Sequence, residues 1–72
     1  MESKEYLNKI RGKRTEKRIT QAEMASRLGM TIKTYNFKEN GKAEFSISEI
    51  AGILNILGCN FTDIFLDNEV RK

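Results

Sequence analysis

The 72-residue chain contains no histidine, no proline, no tryptophan and one cysteine. Histidine is the commonest general base and the commonest metal ligand in proteins, so its absence removes the usual centre of both kinds of site. Cys59 is alone, so it can form neither an internal disulfide nor a multi-cysteine metal site, and we expect it to be a small buried apolar residue. The remaining polar residues stand in no nucleophile motif and no glycine-rich phosphate loop. We therefore expect a protein that is not an enzyme, with no catalytic residues, no metal site and no cofactor.

Long apolar runs are also missing. No segment approaches the roughly 20 apolar residues that cross a bilayer. The first residues, MESKEYLNKIRGK, lack the apolar region of a signal peptide, so we expect a cytoplasmic protein with no membrane contact. We expect a chain this short to form a single domain over residues 1–72, with a core at about 5–66 and a frayed tail at 67–72. The pattern gives no sign of a small-molecule ligand.

The net charge of +3 is unevenly distributed along the chain. Up to residue 42, eleven basic residues stand against five acidic ones, a balance of +6. After residue 42, two basic residues stand against five acidic ones, a balance of −3. This asymmetry suits a polyanion that is bound on one side, although solvated helices are often rich in lysine as well.

The hydrophobic pattern is helical throughout, and strand signals are absent. The segments TQAE at 20–23 and SISE at 46–49 are capping boxes that mark helix starts. Gly29 and Gly58 each follow a leucine at a helix end, where a left-handed residue is favoured. We predict an all-α fold of five short helices over about 3–17, 21–28, 31–40, 46–57 and 61–66. The fourth is so apolar that we expect it to be the central core helix.

The joint between the second and third predicted helices is the most informative one. The segment Leu28-Gly29-Met30-Thr31 leaves room for only a three-residue turn, with a glycine in it, before the next helix start. Two helices joined this tightly cross steeply, which is the geometry of a helix-turn-helix.

With these features the chain resembles the phage-repressor/Cro-type helix-turn-helix regulators, the XRE family, over roughly residues 6–65. The matching features, besides the apolar fourth helix and the short fifth one, are Thr20-Gln21, Ala25, Leu28-Gly29, Thr31 and Glu39-Asn40-Gly41. The resemblance implies a compact, lambda-repressor-like bundle of five helices that binds DNA and regulates transcription.

The chain departs from that family at three positions. Aliphatic residues are usual where Tyr35 and Lys38 stand, and proline is common at the position of Phe45. We expect Tyr35 to bury its ring and keep its hydroxyl in water. We expect Lys38 to lay its methylenes along the core edge and point its amine outward.

In the family, the outer side of the third helix lies in the DNA major groove. At about 100° per residue, Tyr35 and Lys38 fall on the side that meets the second helix. The candidates for base contacts fall on the opposite side, and they are Ile32, Lys33, Asn36 and Phe37. Asn36 suits bidentate pairing with adenine, Lys33 suits guanine or a phosphate, and the two apolar residues suit thymine methyl groups. The alternatives are a solvated helix surface for the polar pair, and the loop at 42–45 or a partner subunit for Phe37.

Phosphate contacts are expected at helix starts, where free N–H groups favour anions, and in the loop after the third helix. The candidates are Thr20, Gln21, Thr31 and Lys42. The family also often pairs an arginine late in the first helix with the glutamate that ends the third. Here the matching residues are Arg14 and Glu39, which we expect to form a bidentate structural pair.

The resemblance implies a sequence-specific, double-stranded DNA-binding repressor of a bacterial nucleoid or a phage. One such module contacts few bases, so we expect a homodimer on a two-fold site. The dimer contact is expected at the turn between the fourth and fifth helices, with Phe61 and Phe65, or at the C-terminal tail. The alternative is an antitoxin-like or adaptor domain whose helix-turn-helix binds a protein partner.

Overall fold

A computed structural model of the chain describes residues 5–65, which form five helices and no strand. The helices are α1 (Glu5–Glu16), α2 (Gln21–Leu28), α3 (Ile32–Glu39), α4 (Ile47–Leu57) and α5 (Phe61–Phe65). The predicted all-α fold is confirmed, and within the described range each predicted end lies within one residue of the observed one. The predicted ends at residues 3 and 66 and the tail at 67–72 lie outside the described residues.

Side-chain caps at three threonine and serine residues explain where the middle helices begin. Thr20, Thr31 and Ser46 each hold an extended backbone and accept a hydrogen bond from the N–H three residues on. At Ser46 the capping box is complete, because the Glu49 carboxylate accepts from the Ser46 N–H at 2.9 Å. Gly29 and Gly58 end α2 and α4 in the left-handed conformation, with φ of 73° and 66°. The capping box predicted at 46–49 is therefore confirmed, whereas at 20–23 the structure records only its first half, in which Thr20 accepts from the Glu23 N–H.

The core lies where α1, α2 and α4 meet. Its fully buried members include Ile10 of α1, Met24 of α2, and Ile53 and Leu57 of α4. α2 packs against both α3 and α4, while α1 contacts α3, α4 and α5. α1 is thus shared between two junctions, one with the helix-turn-helix and one with the C-terminal helices.

Two burial predictions are wrong. α4 is not a fully internal helix, because Ile47 in its first turn is 89% exposed and Ile50 and Leu54 are only partly buried. Within the described residues, α1 and α2 cover only one side of α4. Apolar side chains on its other side therefore stay exposed or partly exposed. Cys59 is half-buried rather than buried. It lies in the turn between α4 and α5, at the edge of the core.

Among residues 5–65, no helix is long and apolar enough to cross a membrane.

Candidate functional site

The two sides of α3 differ sharply in exposure. Tyr35 and Glu39 are completely buried against the rest of the domain. On the opposite side, Ile32 is 53% and Phe37 is 43% exposed. Lys33 is also exposed, between them in the chain. The structure thus brings three of the four candidate base-contacting residues together on one open surface.

The buried side of α3 is organised around the carboxylate of Glu39. One oxygen, Oε2, accepts from Arg14 Nε at 2.8 Å and from the Tyr35 hydroxyl at 2.7 Å. The other, Oε1, accepts from Arg14 Nη2 at 3.1 Å and from Gln21 Nε2 at 2.9 Å. Each oxygen therefore accepts two hydrogen bonds, which fills the acceptor capacity of a carboxylate. The bidentate contact with Arg14 joins α1 to the end of α3, and Gln21 adds the start of α2.

This environment keeps the carboxylate of Glu39 ionised. Burial by itself raises the pKa of the Glu39 carboxyl, but the hydrogen bonds from Arg14, Tyr35 and Gln21 outweigh it, so the pKa lies below its ordinary value of 4.5. The pKa of Arg14 is raised, chiefly by its hydrogen bond to Glu39. Arg11 Nε is a second charged neighbour, 3.5 Å from Oε1, and removing a partner from such a buried carboxylate is strongly destabilising. The orientation of α3 relative to α1 and α2 is therefore tied to specific atoms.

Tyr35 and Lys38 differ from what the sequence predicts. The Tyr35 hydroxyl is not in water: it is buried and donates to Glu39, and burial followed by that hydrogen bond raises its pKa. The Lys38 amine does not point outward into solvent either. It binds both carboxylate oxygens of Glu49 in α4, at 2.8 and 3.0 Å. Both residues replace aliphatic contacts with hydrogen bonds: the acceptor for Tyr35 is Glu39, one turn on in α3, and the acceptor for Lys38 is Glu49 of α4.

Asn36 is the candidate base-contacting residue that is not simply exposed. It is half-buried, and its Nδ2 donates to Gln21 Oε1 at 3.1 Å. Its Oδ1 accepts from Asn40 Nδ2 at 3.2 Å. Asn36 is therefore not plain solvated surface, and its amide is held by two neighbouring amides.

The candidate phosphate-contacting residues occupy two different environments. Thr20, Thr31 and Lys42 are exposed, the first two at the starts of α2 and α3 and the third in the loop after α3. Gln21 is half-buried, and its amide bonds both Glu39 and Asn36. The structure therefore places Gln21 between the buried pair and the open side of α3.

Sequence reasoning missed Arg11 and Asn40. Arg11 Nη2 donates to the Asn40 side-chain oxygen and to the Glu39 backbone oxygen, both at 3.1 Å. In the sequence, Arg11 is one basic residue among many, and Asn40 is only part of the matching segment Glu39-Asn40-Gly41. The spacing of Arg11 and Arg14, which places both on one side of α1, is the signal that was available.

A groove of about 560 Å³ lies elsewhere on the domain, between the start of α1, α4 and α5. None of its lining residues is charged. Three aromatic rings stack along it: the ring centroids of Tyr6 and Phe61 lie 4.9 and 4.5 Å from that of Phe65. Two of its lining residues are exposed, Ile47 and Phe61, the latter at 59%. We call this feature the α4–α5 groove, and its principal lining residues are Tyr6, Phe45, Ile47, Leu54, Phe61 and Phe65.

Comparison with known proteins gives one result. A family model described as helix-turn-helix matches residues 10–64, which is most of the chain and includes every residue of the α2–α3 unit. Searches of the curated proteins and of the solved structures returned no match.

Proposed function

Because the chain belongs to the helix-turn-helix family of the Cro/C1 type, a family of DNA-binding regulators, we propose that it is a sequence-specific repressor that inserts the outer side of α3 into the major groove. The observation that carries this proposal is the burial of Tyr35 and Glu39. With that side of α3 bound to the domain, Ile32, Lys33 and Phe37 are open to a partner, and so is Thr34.

Each candidate base-contacting side chain has a proposed role that follows from its chemistry. Lys33 donates to guanine or to a phosphate, while Ile32 and Phe37 contact thymine methyl groups. Asn36 pairs with adenine. The proposed phosphate contacts, which position the domain without reading sequence, come from Thr20, Gln21, Thr31 and Lys42.

A homodimer on a two-fold DNA site is the proposed active form. A single module of this size contacts few base pairs, so useful affinity requires two copies. The α4–α5 groove supports a second copy as its occupant. It is apolar and uncharged, so two identical surfaces can meet across a two-fold axis without opposing like charges. Exposed Ile47 and Phe61 can then enter the partner's groove, which removes both from water.

Charge placed in the groove tests the dimer. Phe61→Asp places a charge in the apolar contact from each copy, so we expect sedimentation velocity to show monomers and DNA affinity to fall. Ser48→Asp is the matched control, because it adds the same charge to an exposed position of α4 outside the groove lining. A wild-type protein that stays monomeric both free and on DNA contradicts this contact.

We place this activity in the cytoplasm of a bacterium, acting on a bacterial or phage promoter.

A second candidate function is supported by the apolar share of the open surface, since Ile32 and Phe37 are both large and exposed. In that case α3 binds a protein, as in an antitoxin-like or adaptor domain.

Salt dependence separates the two candidates. Binding to mixed-sequence duplex, measured by fluorescence anisotropy between 50 and 200 mM salt, should weaken with a log–log slope of about −0.9 for each neutralised phosphate. Lys42→Met should reduce the size of this slope by about 1. Lys38→Met removes the same charge from the end of α3 that faces Glu49, and it should leave the slope nearly unchanged. A duplex affinity that does not change with salt concentration would contradict phosphate contact and favour a protein partner.

A further inference from the structure

Three side-chain amides form a continuous chain of hydrogen bonds between two charged groups. Arg11 donates to Asn40 at 3.1 Å, Asn40 to Asn36 at 3.2 Å, and Asn36 to Gln21 at 3.1 Å. Gln21 then donates to Glu39 at 2.9 Å. We call the three linked residues Gln21, Asn36 and Asn40 the amide chain. It joins α1 to the start of α2 along the open side of α3.

The two charged ends fix the direction of every bond in this chain. Glu39 only accepts, so Gln21 must turn its Nε2 toward it and its Oε1 toward Asn36. Arg11 only donates, so Asn40 must turn its Oδ1 toward Arg11 and its Nδ2 toward Asn36. Both ends therefore require the same orientation of the Asn36 amide, with nitrogen toward Gln21 and oxygen toward Asn40. Reversing Asn36 would set two oxygens against each other at one contact and two N–H groups at the other.

The amide of Asn36 keeps half of its hydrogen-bonding capacity in this arrangement. A side-chain amide has two N–H donors and two acceptor sites on oxygen. The amide chain uses one of each, so one donor and one acceptor remain on Asn36. A donor and an acceptor on one rigid plane match the N7 and N6 edge of adenine, provided that their order is correct.

We propose that Gln21 and Asn40 are positioning residues that set the order in which Asn36 presents its donor and acceptor to a base pair. This inference rests on the proposed DNA-binding function and deepens it. Specificity at the base pair that Asn36 contacts then depends on Arg11 and Glu39, which hold the ends of the amide chain. A free asparagine samples both orientations, whereas this one is held in one.

The test replaces one amide by a carboxylate of the same shape. Asn40→Asp still accepts from Arg11, but it has no donor for Asn36 and sets an oxygen against Asn36 Oδ1. Reversing Asn36 does not relieve this, because Glu39 still fixes Gln21. Asn8→Asp is the matched control: Asn8 Oδ1 also accepts from Arg11, at 3.3 Å, so the same charge is added beside the same arginine without contact to Asn36. Asn40→Ala removes the donor without adding charge.

Two measurements are made on the wild type and these variants, after thermal unfolding has shown that each folds. Selection of bound sites from random duplex gives the base preference at each position, and NMR of the free protein gives the hydrogen exchange of the Asn36 side-chain amide. We expect Asn40→Asp and Asn40→Ala to lower the preference at one base pair of each half-site by about fivefold or more. We also expect both to speed exchange of the Asn36 amide. Asn8→Asp should weaken binding evenly and change neither measurement.

The possible failures are distinguishable. A wild type that enriches a site, with Asn40→Asp and Asn40→Ala keeping the same base preferences, overturns the positioning role and leaves the proposed function standing. Equal exchange of the Asn36 amide in the wild type and in Asn40→Ala overturns the ordering of the amide chain. A wild type that enriches no site overturns the proposed function and this inference together.

Discussion

The two junctions that α1 makes are built from opposite kinds of contact. At the polar junction with α2 and α3, Arg14, Gln21 and Tyr35 all donate to the buried carboxylate of Glu39. At the apolar junction with α4 and α5, Tyr6 stacks on Phe65 beside a groove lined by uncharged residues. Hydrogen bonds of this kind are directional, whereas apolar contact depends mainly on area and shape. The orientation of α3 is therefore specified by individual hydrogen bonds, whereas the junction with α4 and α5 leaves apolar surface open.

A buried ion pair is weak evidence for stability, because apolar residues of similar volume often serve as well. Its value here is geometric. The polar junction fixes which side of α3 faces outward, and through Gln21 it reaches the amide of Asn36.

Isosteric substitutions should separate the two junctions. Glu39→Gln keeps the shape but replaces an acceptor by a donor where four donors converge, and it leaves Arg14 buried without its counter-charge. We expect a loss of about 3–5 kcal/mol in the free energy of unfolding, measured by urea denaturation. Leu57→Met, an equally isosteric change at a fully buried position of α4, should cost less than about 1.5 kcal/mol. Equal costs would remove the contrast between the junctions.

Acid should weaken the polar junction through the same carboxylate. The pKa of Glu39 is lower in the folded chain than its ordinary value of 4.5. Its contribution is therefore complete above that value and is lost as the pH falls through the folded-state pKa. We expect the free energy of unfolding of the wild type to fall below about pH 4.5, and to fall less steeply in Glu39→Gln.

A comparison variant separates Glu39 from the other perturbed carboxyl. The pKa of Glu49 is also lowered, chiefly by its hydrogen bond with Lys38. Glu49→Gln should therefore retain the part of the acid dependence that Glu39 contributes. Identical acid profiles for Glu39→Gln and the wild type would show that Glu39 does not titrate as described.

Removing a single donor from the polar junction should have an intermediate effect. Tyr35→Phe keeps the buried ring but deletes the hydroxyl that donates to Glu39 at 2.7 Å. Hydrogen bonds to charged groups contribute about 1.5–3 kcal/mol, so we expect a loss of that size in urea denaturation. The double variant Tyr35→Phe with Glu39→Gln should lose less than the sum of the single losses, because both changes act on one network. Strict additivity would contradict a shared network.

The smallest expected effects concern two helical glycines. A Cβ at Gly12 of α1 would meet no atom within 4 Å apart from the adjoining backbone of its own helix, so Gly12→Ala should raise the free energy of unfolding by about 0.5–1 kcal/mol. A Cβ at Gly52 of α4 would lie 2.8 Å from Leu28 Cδ2. Gly52→Ala should therefore gain less than Gly12→Ala, or lose stability, as Leu28 shifts. Thermal unfolding of the pair checks this, and an equal gain would contradict the close approach of α2 and α4.

Local signals made the helices predictable from sequence. The caps at Thr20, Thr31 and Ser46 act within one turn, so their effect does not depend on the rest of the fold. The short turn that contains Gly29 then restricts how α3 can lie on α2, which is why the inner and outer sides of α3 follow from spacing alone.

The polar partners across the fold were less accessible to sequence reasoning. The contact of Lys38 with Glu49 depends on where α3 meets α4, which no local pattern encodes. The hydrogen bond from Tyr35 to Glu39 is an i,i+4 contact within α3 that spacing could have indicated, but its burial depends on the other helices. The same holds for the amide chain, because Gln21 and Asn36 come from different helices. The exposure of Ile47 was also unexpected, since apolar content shows what a helix can bury and not what is present to cover it.

DNA reading by the outer side of α3 is tested by selection of bound sites from random duplex, carried out with the wild type, Lys33→Ala and Asn36→Ala. We expect the wild type to enrich one site with two related halves. Each variant should relax the preference at its own base pair by about 1–3 kcal/mol of discrimination, while the rest of the site is unchanged. If the wild type enriches no site, or if both variants select the same site with the same affinity, the outer side of α3 does not read DNA.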